Sequence, residues 1–156
     1  MSIWWSLHLR RDAASVPLAR RLLLDAMRTE GVDPDISFDL SVALTEACAN
    51  AVEHGGAVRG PGEAPGAYRV TAYLDGARCR IEVADSGPGF PARRLLRRRA
   101  TAAAATAAAT AESGRGLRMI EQLADHVHVR SRPGRGAVVS FDKILKRRED
   151  ALLSLG

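Results

Sequence analysis

Glu46, Asn50 and His54 recur at intervals of four residues in the stretch Leu40 to Gly56, LSVALTEACANAVEHGG. On a helix that spacing stacks a carboxylate, a carboxamide and an imidazole on one face. Much of the remainder is apolar, with Val42, Leu44, Ala47, Ala49 and Ala51. A buried helix rarely carries three such groups in register unless something polar lies above them, because an unpaired buried polar group is costly. Downstream lie two glycine-rich turns, Asp85-Ser86-Gly87-Pro88-Gly89 and Gly114-Arg115-Gly116-Leu117. Gly87 and Gly89 let the backbone approach a bound group without a Cβ in the way. Gly114 and Gly116 free N–H groups at a helix start, where the dipole favours phosphate oxygens. A polar helix face and two backbone-exposing loops are what Mg-ATP requires.

Each residue type has a role in that chemistry and a plainer alternative. Asn50 offers a neutral carbonyl oxygen to a Mg²⁺ ion that keeps most of its waters and bridges phosphates; the alternative is an asparagine bonded to nearby backbone. Glu46, one turn earlier, can orient or deprotonate an attacking hydroxyl beside a γ-phosphate, or simply face solvent. His54 either contacts a phosphate or closes the helix, where a cationic imidazole suits the dipole. Asp85 ends a strand and opens a turn, a common place for aspartate before Ser-Gly. Arg115 adds charge between two glycines or lies on the surface.

The elements that position these residues are legible from periodicity and turn chemistry. Ile3, Trp5, Leu7 and Leu9 alternate, so residues 3–10 read as a first strand. Ser15 is placed to N-cap a helix with Pro17 in its first turn and Leu18, Leu22, Leu23, Ala26 and Met27 at helical spacing, stopped by Gly31. Asp33-Pro34 is a second start signal, and the long helix runs to His54 before Gly55-Gly56. Residues 57–66 are Gly- and Pro-rich and read as a loop. Tyr68–Leu74 and Arg78–Ala84 read as strands joined at Asp75-Gly76, a favoured hairpin turn. A helix from about Leu117 to Ala124 precedes a hairpin of Val127–Ser131 and Ala137–Phe141 around Pro133-Gly134. Between the glycine turns, residues 90–113 hold a run, Ala100 to Ala111, of alanine and threonine alone. Such a run has no large side chain to anchor a face, so it reads as a low-complexity insertion serving as a mobile lid.

A chain of 156 residues with 46% hydrophobic and 26% charged residues suits one globular domain. The expected division is a domain over 1–145 and a basic tail over 146–156. The net charge of +5 comes largely from arginine, clustered at Arg93, Arg94, Arg97, Arg98 and Arg99, and from the terminal Lys143, Lys146, Arg147 and Arg148. No helix-turn-helix or zinc-finger pattern accompanies them, and aromatics at 4% are too few for base-stacking platforms. A solvated basic face or an acidic protein partner fits better than nucleic acid. Cys48 and Cys79 lack metal-type spacing and read as reduced core thiols of a cytoplasmic protein. The N-terminus has no signal-peptide core, and no segment is apolar enough to span a bilayer.

In order and spacing, Glu46-Asn50-His54, Asp85-x-Gly87-x-Gly89 and Gly114-x-Gly116-Leu117 resemble the N, G1 and G2 boxes of the GHKL ATPase superfamily. The chain is most similar to its smallest members, the bacterial anti-sigma factor serine kinases of sporulation and general stress, over roughly residues 5–142. The resemblance implies an α/β two-layer sandwich, with a mixed, mostly antiparallel sheet and helices on one face. It implies ATP and Mg²⁺ as ligands, Asp85 selecting adenine through its amino group, and Glu46 as catalytic base. It further implies a homodimer, a sigma factor as partner, and an antagonist protein phosphorylated on serine or threonine. A regulatory module acting by protein contact is the alternative function. A sensor histidine kinase fits less well, since no helix pair carries a phospho-accepting histidine. The chain departs from the family at Gly136-Ala137-Val138-Val139, where the usual Gly-Thr-x-Val supplies a threonine hydroxyl near adenine. One polar contact of that kind is worth on the order of 1 kcal/mol, so its loss weakens affinity without abolishing it.

Overall fold

The computed structural model describes residues 2–54, 66–85, 112–132 and 136–147. Along them run strand β1 (Ile3–Arg10), helices α1 (Ser15–Thr29) and α2 (Pro34–His54), and strands β2 (Ala67–Leu74) and β3 (Arg78–Asp85). Helix α3 (Glu112–Leu123) and strands β4 (His126–Arg132) and β5 (Gly136–Ile144) follow. The strands form one sheet in the order β1-β2-β3-β5-β4. Every described pairing is antiparallel.

Strand alternation divides the sheet into an apolar and a polar face. Leu7, Val70, Val83, Val139 and Val129 lie in one transverse row of the register. Tyr68, Ala72, Ile81 and Phe141 share that face, and all are buried. The three helices cover it, giving the expected two-layer α/β sandwich. Trp4, Tyr73, Arg69, Arg80 and His128 occupy the opposite, exposed face.

Helix α1 buries Val16, Ala19, Leu23 and Met27 along one stripe. It ends where the sequence indicates. Gly31 takes φ 70°, its N–H donates to Arg28 O at 3.1 Å, and the Val32 N–H donates to Met27 O at 3.0 Å. These paired bonds close the helix with a left-handed residue that glycine adopts without strain. The start differs from expectation. Ser15 is the first helical residue, and Ala14 occupies the cap position without a side-chain cap bond. Ser15 is buried, and its hydroxyl is engaged elsewhere, by Asp12 O at 2.7 Å and the Tyr68 hydroxyl at 2.6 Å.

Helix α2 starts as the Asp33-Pro34 pair implies: Asp33 Oδ1 accepts the Asp35 N–H at 2.8 Å, with Pro34 at the position whose N–H needs no partner. Its buried apolar residues, Ile36, Leu40, Ala43, Leu44, Ala47, Cys48 and Ala51, make it the central helix, packed between α1 and α3 over β2 and β3.

The β2–β3 turn is centred on Gly76-Ala77 instead of the expected Asp75-Gly76, and Gly76 is not among the positive-φ glycines. Asp75 determines the outcome. Its Oδ1 accepts the N–H groups of Ala77 at 2.8 Å and Arg78 at 2.7 Å, and these donors hold its carboxyl below the usual carboxylate range.

Helix α3 begins five residues before the expected Leu117, so Gly114, Arg115 and Gly116 lie in its first turns and not in a turn ahead of it. Glycine costs a helix about 1 kcal/mol relative to alanine. Burial of Leu117 and Ile120 between α2 and the sheet offsets that cost.

Candidate functional site

One end of the sandwich gathers most of the residues singled out by type and spacing, and the connections that bring them there can be followed from strand to helix. The end of β3 places Asp85 opposite Tyr68, the second residue of β2. The Tyr68 hydroxyl reaches the Cys48 thiol on α2 and the Ser15 hydroxyl at the start of α1. Asn50 follows Cys48 by two residues. The start of β5 lies on the other side of β3, pairing Val138 with Ala84, and the Ala137 N–H donates to Asp85 Oδ1 at 3.3 Å.

Helix α3 also presents its N-terminus to this end. Its last carbonyl, Leu123 O, accepts from Lys143 Nζ at 2.7 Å, and the Asp125 N–H donates to Asp142 O at 2.9 Å, both at the far end of β5. The positive end of its dipole and Gly114, Arg115 and Gly116 therefore lie toward the start of β5, the end that carries Asp85.

Asn50 is the most informative side chain. It is 7% exposed, and its amide Nδ2 has no hydrogen-bond partner. A buried amide N–H without an acceptor is held at a cost unless a ligand completes it. The local-backbone alternative for Asn50 is thus not what the structure shows for that atom. Glu46, one turn earlier, is half-buried. His54 is the last residue of α2, with its backbone in the helix and its side chain outside the described residues. Leu117 packs its side chain in the core at 5% exposure, so it reaches a ligand only through its backbone. Gly87, Gly89, most of the expected lid over 90–113, the arginine cluster 93–99 and most of the basic tail lie outside the described residues.

Three features of this end were not legible beforehand. Ala137, which lacks the family's threonine hydroxyl, nonetheless orients Asp85 through its own backbone N–H. The Ser15 and Tyr68 hydroxyls are bonded at 2.6 Å inside the core, with the Cys48 thiol beside Tyr68. Burial pushes the Cys48 thiol up to about 12 and the Tyr68 hydroxyl up to about 12. Arg11 donates from Nε to Ala51 O at 3.1 Å and from Nη2 to Val52 O at 2.6 Å, across 40 residues of chain. No periodicity marks such long-range partners.

Among the described residues, no group of three or more His, Cys, Asp or Glu side chains could hold a metal ion. No helix among them is long and apolar enough to cross a membrane. The expected core thiols are both free and buried.

Comparison with known proteins agrees with this geometry. The family pattern described as histidine kinase-like ATPase domain matches residues 9–143. The chain is 34% identical over 130 residues to the serine-protein kinase RsbW of Bacillus licheniformis, covering 81% of this chain and 77% of that protein. It is 34% identical over 112 residues to RsbW of Bacillus pumilus, covering 70% and 65%. Among solved structures, the fold resembles the RsbU and RsbW domains of a Mycobacterium tuberculosis protein, with TM-score 0.63 and 22% identity over 92% of this chain and 33% of that one. It also resembles the SiaB–SiaC complex of Pseudomonas aeruginosa, with TM-score 0.55 and 16% identity over 90% of this chain and 89% of that one. The chain belongs to the histidine kinase-like ATPase family, with RsbW-type serine kinases among its relatives.

Proposed function

We propose that this protein is an ATP-dependent serine/threonine protein kinase of the anti-sigma-factor type, acting in the cytoplasm on an antagonist protein and holding a sigma factor in its other partner state. The observation that carries the reading is the buried Asn50, whose Nδ2 has no partner and is left to donate to an acceptor such as a phosphate oxygen, at the end of the sandwich where Asp85 and the α3 N-terminus also lie. The Asn50 carboxamide supplies a neutral oxygen ligand, the donor that suits a Mg²⁺ ion retaining waters and phosphate oxygens. A Mg²⁺ ion held there by Asn50 would supply positive charge to offset that of the phosphates during transfer.

The chain's own residues account for the rest. Asp85, steadied by the Ala137 N–H, accepts the adenine amino group. The first turns of α3, with Gly114, Arg115 and Gly116, direct N–H groups and positive dipole toward phosphate. Glu46, half-buried one turn before Asn50, takes the proton from the attacking hydroxyl. His54 closes α2 beside them, and Gly87 and Gly89 let the backbone approach the base. The acting unit is a homodimer.

Melting the protein with saturating Mg-ATP and Mg-GTP tests the nucleotide assignment. ATP is expected to raise the melting temperature and GTP to leave it nearly unchanged, since guanine presents no amino group at that position. Equal shifts contradict the role of Asp85. Ala137 in place of threonine favours a second reading, a nucleotide-binding regulatory module without transfer; it is distinguished by ATP binding with no phosphorylated antagonist.

A further inference from the structure

The C-terminal turn of α2 is held by a residue from a different part of the chain. The last four carbonyls of a helix have no intrahelical donor. For α2 they belong to Ala51, Val52, Glu53 and His54. Arg11 donates to two of these carbonyls at once, Nε to Ala51 O at 3.1 Å and Nη2 to Val52 O at 2.6 Å. Its own N–H donates to Gly66 O at 2.9 Å, just before β2. One residue thus joins the end of β1, the end of α2 and the start of β2. Its cation also lies at the negative end of the α2 dipole, where positive charge is favourable.

This turn is where the proposed ligand contacts originate. Within α2 the His54 N–H closes onto Asn50 O, as every α-helical N–H does onto the residue four before it. A frayed last turn frees the backbone of Asn50 and swings its buried carboxamide out of place. The planar fork of a guanidinium spans two successive carbonyls, whereas a single ammonium makes a point contact.

We infer that Arg11 is a positioning residue: it clamps the α2 C-terminal turn so that Asn50, just before it, presents its carboxamide to bound Mg-nucleotide without Arg11 touching it. The inference rests on the nucleotide reading of the site. It goes beyond that reading by assigning a role to a residue outside the three boxes.

Arg11→Ala and Arg11→Lys are compared with the full-length wild-type chain by two measurements. Without nucleotide, amide hydrogen exchange at residues 52–54 accelerates in Arg11→Ala while residues 40–47 keep their protection. By calorimetry, Mg-ATP binding weakens about tenfold in Arg11→Ala, the effect of leaving one molecule in ten competent. Binding of ATP in excess chelator, which relies on the adenine end, stays near the wild-type value. Arg11→Lys falls between in both measurements, and it carries the test alone if Arg11→Ala does not fold. Exchange that accelerates throughout α2, with Mg-ATP and metal-free ATP weakened equally, overturns the inference by making Arg11 a general fold contact. Variants that match wild type in both measurements overturn it as well. A wild type with no Mg²⁺-dependent ATP binding overturns the nucleotide reading and the positioning role together; a wild type that binds while its variants match it overturns the positioning role alone.

Discussion

Replacing Asn50 by leucine separates what the residue does for the fold from what it does for a ligand. Asn50 is 7% exposed and its Nδ2 has no partner. An unsatisfied buried donor costs roughly 1–3 kcal/mol. Leucine has nearly the same branched shape and no polar atoms to satisfy, so Asn50→Leu is expected to leave the ligand-free protein as stable as wild type or more so. For a chain of this size, 1 kcal/mol moves the melting temperature by roughly 2–4 °C, giving an expected rise of about 2–6 °C after some loss to the bulkier methyls. The ligand effect runs the other way. Nucleotide at a hundred times its Kd stabilises wild type by about 2.7 kcal/mol, a shift of roughly 5–10 °C. Asn50→Leu removes the carboxamide oxygen assigned to Mg²⁺ and is expected to lose most of that shift. Differential scanning calorimetry with and without Mg-ATP reads both quantities in one experiment. A ligand-free variant that melts several degrees below wild type refutes the reasoning, because the amide would then be serving the fold. A variant with an undiminished Mg-ATP shift refutes it equally, because the ligand would not be using Asn50.

Three further outcomes follow from the same geometry. Asp85→Asn keeps an oxygen for the Ala137 N–H but loses the charged acceptor, so ATP affinity measured by calorimetry is expected to fall about 10- to 100-fold and discrimination against GTP to vanish. Burial raises Cys48 from 9.0 to about 12 and Cys79 from 9.0 to about 12. The fold keeps both thiols neutral while the unfolded chain ionises them near pH 9, so stability complete below pH 9 declines from pH 9 toward 12 in an alkaline urea series; at pH 8 iodoacetamide is expected to label neither thiol until denaturant is added. Gly31→Ala forces a side chain into φ 70° and should cost about 1 kcal/mol in urea unfolding, with Mg-ATP affinity unchanged because the α1 end is remote from the site.

Local chemistry made much of this fold readable. The alternation of Ile3, Trp5, Leu7 and Leu9 delimits β1, and Asp33-Pro34 and Gly31 mark helix ends, because caps and left-handed glycines act over a few residues. The structure departs from these local signals where a particular side chain, near or distant, has a stronger partner. Ser15 has the composition of an N-cap, but Tyr68, 53 residues away, engages its hydroxyl inside the core. Asp75-Gly76 suits a hairpin turn, but the Asp75 carboxylate forms a different one. Glycines suggested a turn at Gly114-Arg115-Gly116, yet burial of the following Leu117 and Ile120 is compatible with extending α3 through them. For the site, helical spacing placed Asn50 and sequence order placed Asp85, but nothing in the sequence showed that Ala137 would hold Asp85 by its backbone or that Arg11 would hold the end of α2. Those contacts depend on how strands and helices meet, which periodicity does not record.

The most direct test of the kinase reading is transfer of label from γ-labelled ATP, with Mg²⁺, to the antagonist protein of the same cell. Wild type is expected to place label on a serine or threonine of the antagonist. Glu46→Gln is expected to bind ATP as well as wild type and to transfer roughly 10²–10⁴-fold more slowly, the usual contribution of a general base. Transfer that survives intact in Glu46→Gln contradicts the role of Glu46, and a wild type that binds ATP yet labels no antagonist contradicts the kinase.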